Sequence, residues 1–187
     1  MNLNEWFDKG VTVDEYISAM NVNKEGMKRI LEQFSLSDEE VEQLKIYKNK
    51  GLKAIALTED WCGDAMLNNP ILLKIAEEIG MEVRFLLRDQ NLELMDQYLT
   101  NGTSRAIPIY VFINDHEEEH AVWGPRAKHI QAIVDSERSK LPHQDDPNFK
   151  ELQSAMYKKL MSSYSEDSTL WHAVAKSMIE KLIVKPL

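Results

Sequence analysis

The chain has 187 residues, 43% hydrophobic and 28% charged, with 22 basic against 31 acidic side chains and a formal charge of −9. That length and composition suit one globular domain with its own core, and they exclude disordered, collagen-like and disulfide-scaffold chains. The acidic balance opposes nucleic-acid binding, which needs a basic face, and a single cysteine cannot form an internal disulfide.

The polar, acidic start over residues 1–10 lacks the basic and apolar regions of a signal peptide. No run reaches the roughly 18 apolar residues of a membrane span. The sequence therefore reads as a cytoplasmic protein with no membrane partner. The first fifty residues read as helices. Thr12 with Glu15 and Ser37 with Glu40 have capping-box spacing. Met27, Ile30, Leu31 and Phe34 recur at helical spacing, and Val41, Leu44 and Tyr47 continue the pattern to a stop at Gly51.

The pattern changes at Leu52. Residues 52–57 are short and mostly apolar and predict a buried strand. A polar turn, Thr58-Glu59-Asp60, leads into Trp61-Cys62-Gly63-Asp64, and a helical pattern then runs to Gly80 with Pro70 inside it. Residues 81–87 predict a second strand with Val83, Phe85 and Leu87 on the apolar side, and 92–99 a short helix. Ile107-Pro108 opens a third strand over 109–113. A charged turn over 114–119 leads to a fourth strand over 121–123, and residues 126–140 predict a helix. Residues 142–147 read as a linker. Two amphipathic helices follow. Phe149, Leu152, Met156 and Leu160 line one, and Leu170, Trp171, Val174, Met178 and Leu182 line the other. These faces pack either onto the core or between two subunits of a homodimer. The expected organisation is a single domain over 1–187, with a helical N-terminal extension over 1–50, an α/β core over 51–140 and a helical C-terminal extension over 141–187.

The order β-α-β-α-β-β-α, with Trp61-Cys62-Gly63-Asp64 at the junction of the first strand and its helix, resembles the thioredoxin superfamily. Ile107-Pro108 matches the family's cis-proline position, and Trp123-Gly124 resembles its glycine turn. The resemblance covers about residues 50–137, and the Thr58-Glu59-Asp60-Trp61-Cys62-Gly63-Asp64 string with long helical flanks is similar to a bacterial thioredoxin-like subfamily. It implies a thioredoxin-like α/β fold. Two departures stand out. Members doing dithiol chemistry carry Cys-x-x-Cys, whereas the second cysteine position here is Ala65. Many also hold a buried acid on the first strand, and that position is Ala56.

Cys62 at the first turn of a helix meets unpaired N–H groups and the positive end of the helix dipole, which favour the thiolate. Asp64, with Glu59 and Asp60, opposes this, so the expectation is a thiol pKa lowered modestly at most. The alternative is an inert, half-buried cysteine. A reactive Cys62 would attack a disulfide, and an outside thiol would have to resolve the mixed disulfide. The resemblance implies that Pro108 is cis and that Ile107 offers its backbone to an extended substrate. Trp61 would be an apolar wall beside the sulfur, or a plain rim aromatic. Gly63 and Asp64 complete the expected substrate-binding set. Arg105 and Arg126 would attract an acidic peptide or a small thiol's carboxylates, or else be solvated.

No metal or cofactor is expected. His116 and His120 flank Glu117, Glu118 and Glu119 in what reads as a solvated charge run. No Cys/His set has zinc spacing. Ala65 stands where monothiol glutaredoxins, which bind an iron–sulfur cluster, carry serine, and no nucleotide fingerprint is present. Two functions follow. One is a monothiol thiol–disulfide oxidoreductase acting on a protein disulfide or a low-molecular-weight thiol. The other is a redox-inactive binding or scaffold module using the same groove.

Overall fold

The computed structural model describes residues 2–183, and a four-stranded sheet forms its centre. Strands β1 (Lys53–Thr58) and β2 (Glu82–Leu87) run parallel, so the chain between them must cross over. Helix α5 (Gly63–Ile79) makes that crossover, closed by Gly80 in the left-handed region at φ 70°. Strand β3 (Ile109–Ile113) lies antiparallel to β1, and β4 (Glu119–Trp123) antiparallel to β3, giving the order β2-β1-β3-β4. With the helices named below, this is a thioredoxin-like α/β fold.

Both faces of the sheet are buried. Ala54, Ala56, Val83, Phe85, Tyr110 and Phe112 belong to one apolar cluster, which also takes in the inner faces of α5 and of the N- and C-terminal helices. The small Ala54 and Ala56 leave room there for larger side chains. Ile55, Leu57, Leu86, Ile109, Val111 and Ile113 belong to the second cluster with Leu3 and Phe7 of α1 (Leu3–Lys9) and Leu94 and Met95 of α6 (Leu92–Met95). This corrects the expected alternation in β2. Leu86 is buried and Leu87 only half-buried, because the second face meets α1 and α6 rather than water.

Helices α2 (Val13–Ala19) and α4 (Asp38–Leu44) begin with complete capping boxes at Thr12 and Ser37. Between them α3 (Lys24–Gln33) buries Met27 and Ile30. The helix expected to run to Gly51 instead ends at Leu44 and tightens into a 3-10 turn over Lys45–Tyr47. Asn49 and Gly51, both at positive φ, turn the chain into β1. Between α1 and α2, Val11 exchanges two hydrogen bonds with Phe85 and so covers part of the β2 edge.

Helix α6 is one turn long, shorter than the predicted 92–99. After β4 come α7 (Lys128–Arg138), α8 (Phe149–Glu166) and α9 (Ser168–Leu182). Trp171, Val174, Met178 and Leu182 of α9 pack into the first cluster, as do Met156 and Leu160 of α8. Leu152, assigned to the same apolar face of α8, is exposed. No helix among the described residues is long and apolar enough to cross a membrane.

Candidate functional site

Cys62 is the N-cap residue of α5, with extended backbone, and Met66 N–H closes the first helical turn onto its carbonyl. Its thiol donates to the carbonyl of Ile107 at 3.4 Å. The Ile107–Pro108 peptide is cis. The loop before β3 thus sets its backbone against the sulfur. A cleft of about 500 Å³ opens beside them, with Trp61, Gly63 and Asp64 in its lining together with Arg126 and residues of α8. The cleft therefore brings together Trp61, Cys62, Gly63, Asp64 and Ile107, whereas Pro108 is buried and outside the lining.

The sulfur is less accessible than the motif implied. Cys62 is only 8% exposed. Burial is the main reason that its pKa is pushed up to about 11, and the Asp64 charge adds to the shift. The N–H groups of Ala65 and Asp64 and the Arg126 charge pull the other way without prevailing. The expected modest lowering is thus reversed, because the helix-terminus argument left out desolvation by chain distant in sequence. Helix α8 borders the same cleft. A Cβ on Gly63 would stand 2.4 Å from Met161 Sδ, so α8 lies tight over the first turn of α5.

Asp64 is held from both sides. Arg126 binds its carboxylate with two nitrogens, at 2.9 and 2.6 Å, and Tyr164 of α8 donates to it at 3.2 Å. Arg126 also donates to Gln131, which donates to Asp135. Arg126 is therefore neither a free attractor nor a solvated charge, and it belongs to the wall of the cleft. Arg105 is engaged elsewhere, on Asp96 at 2.6 and 2.8 Å. Glu59 and Asp60 point their carboxylates at backbone donors. Glu59 accepts from Asp89 N–H, and Asp60 accepts from Asn21 and Val22 N–H. Trp61 is half exposed, at 49%, with the Arg88 guanidinium 4.9 Å from its ring centre.

Where a second thiol would stand, Ala65 is buried in the second cluster. Ala56 is fully buried among apolar neighbours. In place of a buried acid, a neutral set occupies the core. Asn69 donates to Thr58 Oγ1 (3.1 Å) and Tyr16 Oη (3.4 Å) and accepts from Tyr110 (2.7 Å). Next to it, Asn68 donates to the carbonyl of Pro125, which follows a second cis peptide at Gly124–Pro125. Sequence reasoning passed over both asparagines. Their signal was two poor helix formers inside an apolar helical run. Tyr164 and Met161 gave no such signal.

His120 corrects the charge-run reading of the β3–β4 hairpin. It is buried, 2.8 Å from the carbonyl of Leu182 and against the ring of Tyr47. His116 is exposed beside Asp115. No three His, Cys, Asp or Glu side chains among the described residues are grouped to hold a metal ion.

The thioredoxin family profile matches residues 10–139. Among solved structures, a protein of unknown function from Pseudomonas aeruginosa is similar at 16% identity, covering 96% of this chain and 97% of its own, with a TM-score of 0.68. An HIV epitope-scaffold is similar at 16% identity, covering 96% and 98%, with a TM-score of 0.67. At that identity the likeness is one of fold. No curated protein sequence matches the chain.

Proposed function

The chain belongs to the thioredoxin family, and from that premise we propose that it is a one-cysteine member performing thiol–disulfide exchange through Cys62. The observation that carries this reading is the placement of the only thiol, 3.4 Å from the backbone of Ile107, in a cleft open to solvent. The Cys62 thiolate attacks one sulfur of R–S–S–R′. The Cys62–S–S–R bond forms, the substrate S–S bond breaks, and R′S⁻ leaves with the proton that Cys62 gave up. An external thiolate then attacks the sulfur of R, forming a new disulfide and returning Cys62 as thiolate. No second cysteine is consumed, in keeping with Ala65. Trp61 and Gly63 border the approach, and Ile107 with Pro108 supplies the edge on which the substrate docks.

The raised thiol pKa fixes how this chemistry depends on pH. With a pKa of about 11, on the order of 10⁻⁴ of Cys62 is thiolate at pH 7. Exchange and alkylation rates should therefore rise about tenfold per pH unit and level off only near 11. A plateau at or below the ordinary range near 8.5 would show that the cleft activates the thiol. Cys62→Ser should abolish turnover of a small disulfide in the presence of a reducing thiol. Turnover that survives the change would end the proposal.

One observation favours a second reading. A thiol this buried, donating to a carbonyl, also suits a groove that binds without chemistry. In that case wild-type turnover is absent, and Cys62→Ser leaves binding of the groove's ligand intact.

A further inference from the structure

We infer that the disulfide accepted by the Cys62 cleft is a small molecule carrying carboxylates, an inference that rests on the exchange reading above. The chain as a whole is strongly acidic, with a formal charge of −9. The cleft reverses that sign. Arg88, Arg126 and Arg138 line it, and Asp64 is the one acid among its lining residues.

The three arginines stand differently toward a ligand. Arg126 is bound to Asp64 and fixes the positive end of the inner wall. Arg88 lies over Trp61 and pairs with Asp89, an exposed carboxylate outside the lining. Arg88 is 20% exposed and also donates to the Arg105 carbonyl at 3.1 Å, so it is a fixed positive charge of the wall. Arg138 has no acidic partner among the described residues, and its polar contact is the Tyr157 hydroxyl at 3.4 Å. Its neighbour Glu137 is already committed to Lys140 and Lys159. Arg138, at the Tyr157 wall, is therefore the guanidinium left available to a ligand's carboxylate, and Arg88 adds a fixed positive charge at the Trp61 wall of the cleft that also holds Cys62. In a cleft with apolar walls such charges focus their field on the entering group.

Size selects the rest of the substrate. About 500 Å³ lies within the range of small-molecule sites. Tyr157, Leu160, Met161 and Tyr164 of α8 line the same cleft and narrow the room for a protein strand. In the resulting reaction the thiolate of Cys62 displaces one carboxylate-bearing thiolate, which takes up the proton. The other half remains on Cys62 as a mixed disulfide until an external thiol removes it.

The test compares rates of mixed-disulfide formation at Cys62 with three small disulfides. These are 3,3′-dithiodipropionate (a dianion), 2-hydroxyethyl disulfide (neutral) and cystamine (a dication), each normalised to its rate with a free small thiol. At low salt the dianion should react at least about tenfold faster than the dication, and high salt should shrink the gap. Arg138→Gln should slow the dianion by about threefold or more. Equal normalised rates, or a faster dication, would overturn the inference while leaving exchange itself standing. A dianionic peptide disulfide that outpaces the small dianion would overturn its small-molecule half. If no disulfide reacts, the exchange reading fails separately, and alkylation still decides the charge preference. An iodoacetate to iodoacetamide rate ratio above that of a free thiol keeps a carboxylate-selective cleft, and a ratio at or below it removes one.

Discussion

Helix α5 carries two polar clusters of opposite character. At its first turn Asp64 joins Arg126 and Tyr164 beside the cleft, charged and still in reach of water, with Arg126 and Asp64 side chains 18% and 11% exposed. Farther along the helix Asn69 joins Thr58, Tyr16 and Tyr110, all neutral and all inside the core. A charged pair taken partly out of water gains little net stability, because desolvation offsets attraction. Its lasting effect is the field it sets at the neighbouring sulfur. A neutral set with its hydrogen bonds made in a dry core does the reverse. It fixes which packing is native and puts no net charge near the thiol. Stability and thiol reactivity should therefore respond to different ends of the same helix.

The largest effect is expected at the neutral end. Asn69→Leu leaves the buried Tyr110 hydroxyl without its acceptor and takes a donor from both Thr58 and Tyr16, which keep only their mutual contact at 3.5 Å. At about 1–3 kcal/mol for each such group, the loss is about 4 kcal/mol. That corresponds to a Tm lower by about 8–16 °C for a chain of this size. The pH profile of Cys62 alkylation in the folded protein should not move. A shifted profile would mean that the two clusters are coupled.

The charged end should behave in the opposite sense. Burial raises the Cys62 pKa first and the Asp64 charge second, while Arg126 lowers it. Asp64→Asn removes one raising influence and frees the lowering one, so the pKa falls. Alkylation near neutral pH should quicken by about tenfold, the equivalent of one pKa unit. Thermal melting should drop modestly, since Arg126 is left without its carboxylate in a half-buried place. An unmoved alkylation profile would show that burial alone holds the thiol protonated.

The same contrast explains what could be read in the sequence. Elements whose cause is local were legible, such as the capping boxes at Thr12 and Ser37, the strand-to-helix switch around Trp61-Cys62, and the stop at Gly80. Cys62, Gly63 and Asp64 were legible as a candidate site because they are contiguous at that switch. The state of the site was not legible, because its causes come from far along the chain. Tyr164 reaches Asp64 from a hundred positions away, and Met161 reaches Gly63 from almost as far. His120 looked solvated among glutamates, and only the carbonyl of Leu182 explains its burial. Local spacing carried the dipole argument for a lowered thiol, but it could not carry the desolvation that outweighs it.

The smallest expected effect tests whether α8 is the cover over the sulfur. Gly63 is the first residue of α5, and its missing side chain is what lets Met161 lie against that turn. In Gly63→Ala the new Cβ meets Met161 Sδ, the yielding part of a flexible side chain, so Met161 should swing aside rather than α5 deform. Overpacking of this kind costs about 1 kcal/mol. Alanine in a helix returns about 0.4–1 kcal/mol by restricting the unfolded chain. The two terms nearly cancel, and melting should shift by a few degrees at most. The readable change is access. With Met161 displaced, alkylation of Cys62 should be modestly faster near neutral pH, with the same slope and a plateau reached at slightly lower pH, because burial is the main cause of the raised pKa while the Asp64 and Arg126 charges have not moved. A slower reaction would mean that the added methyl itself shields the sulfur and that α8 contributes little to its burial. The high thiol pKa would then have to be attributed to β3 and the Ile107 loop alone.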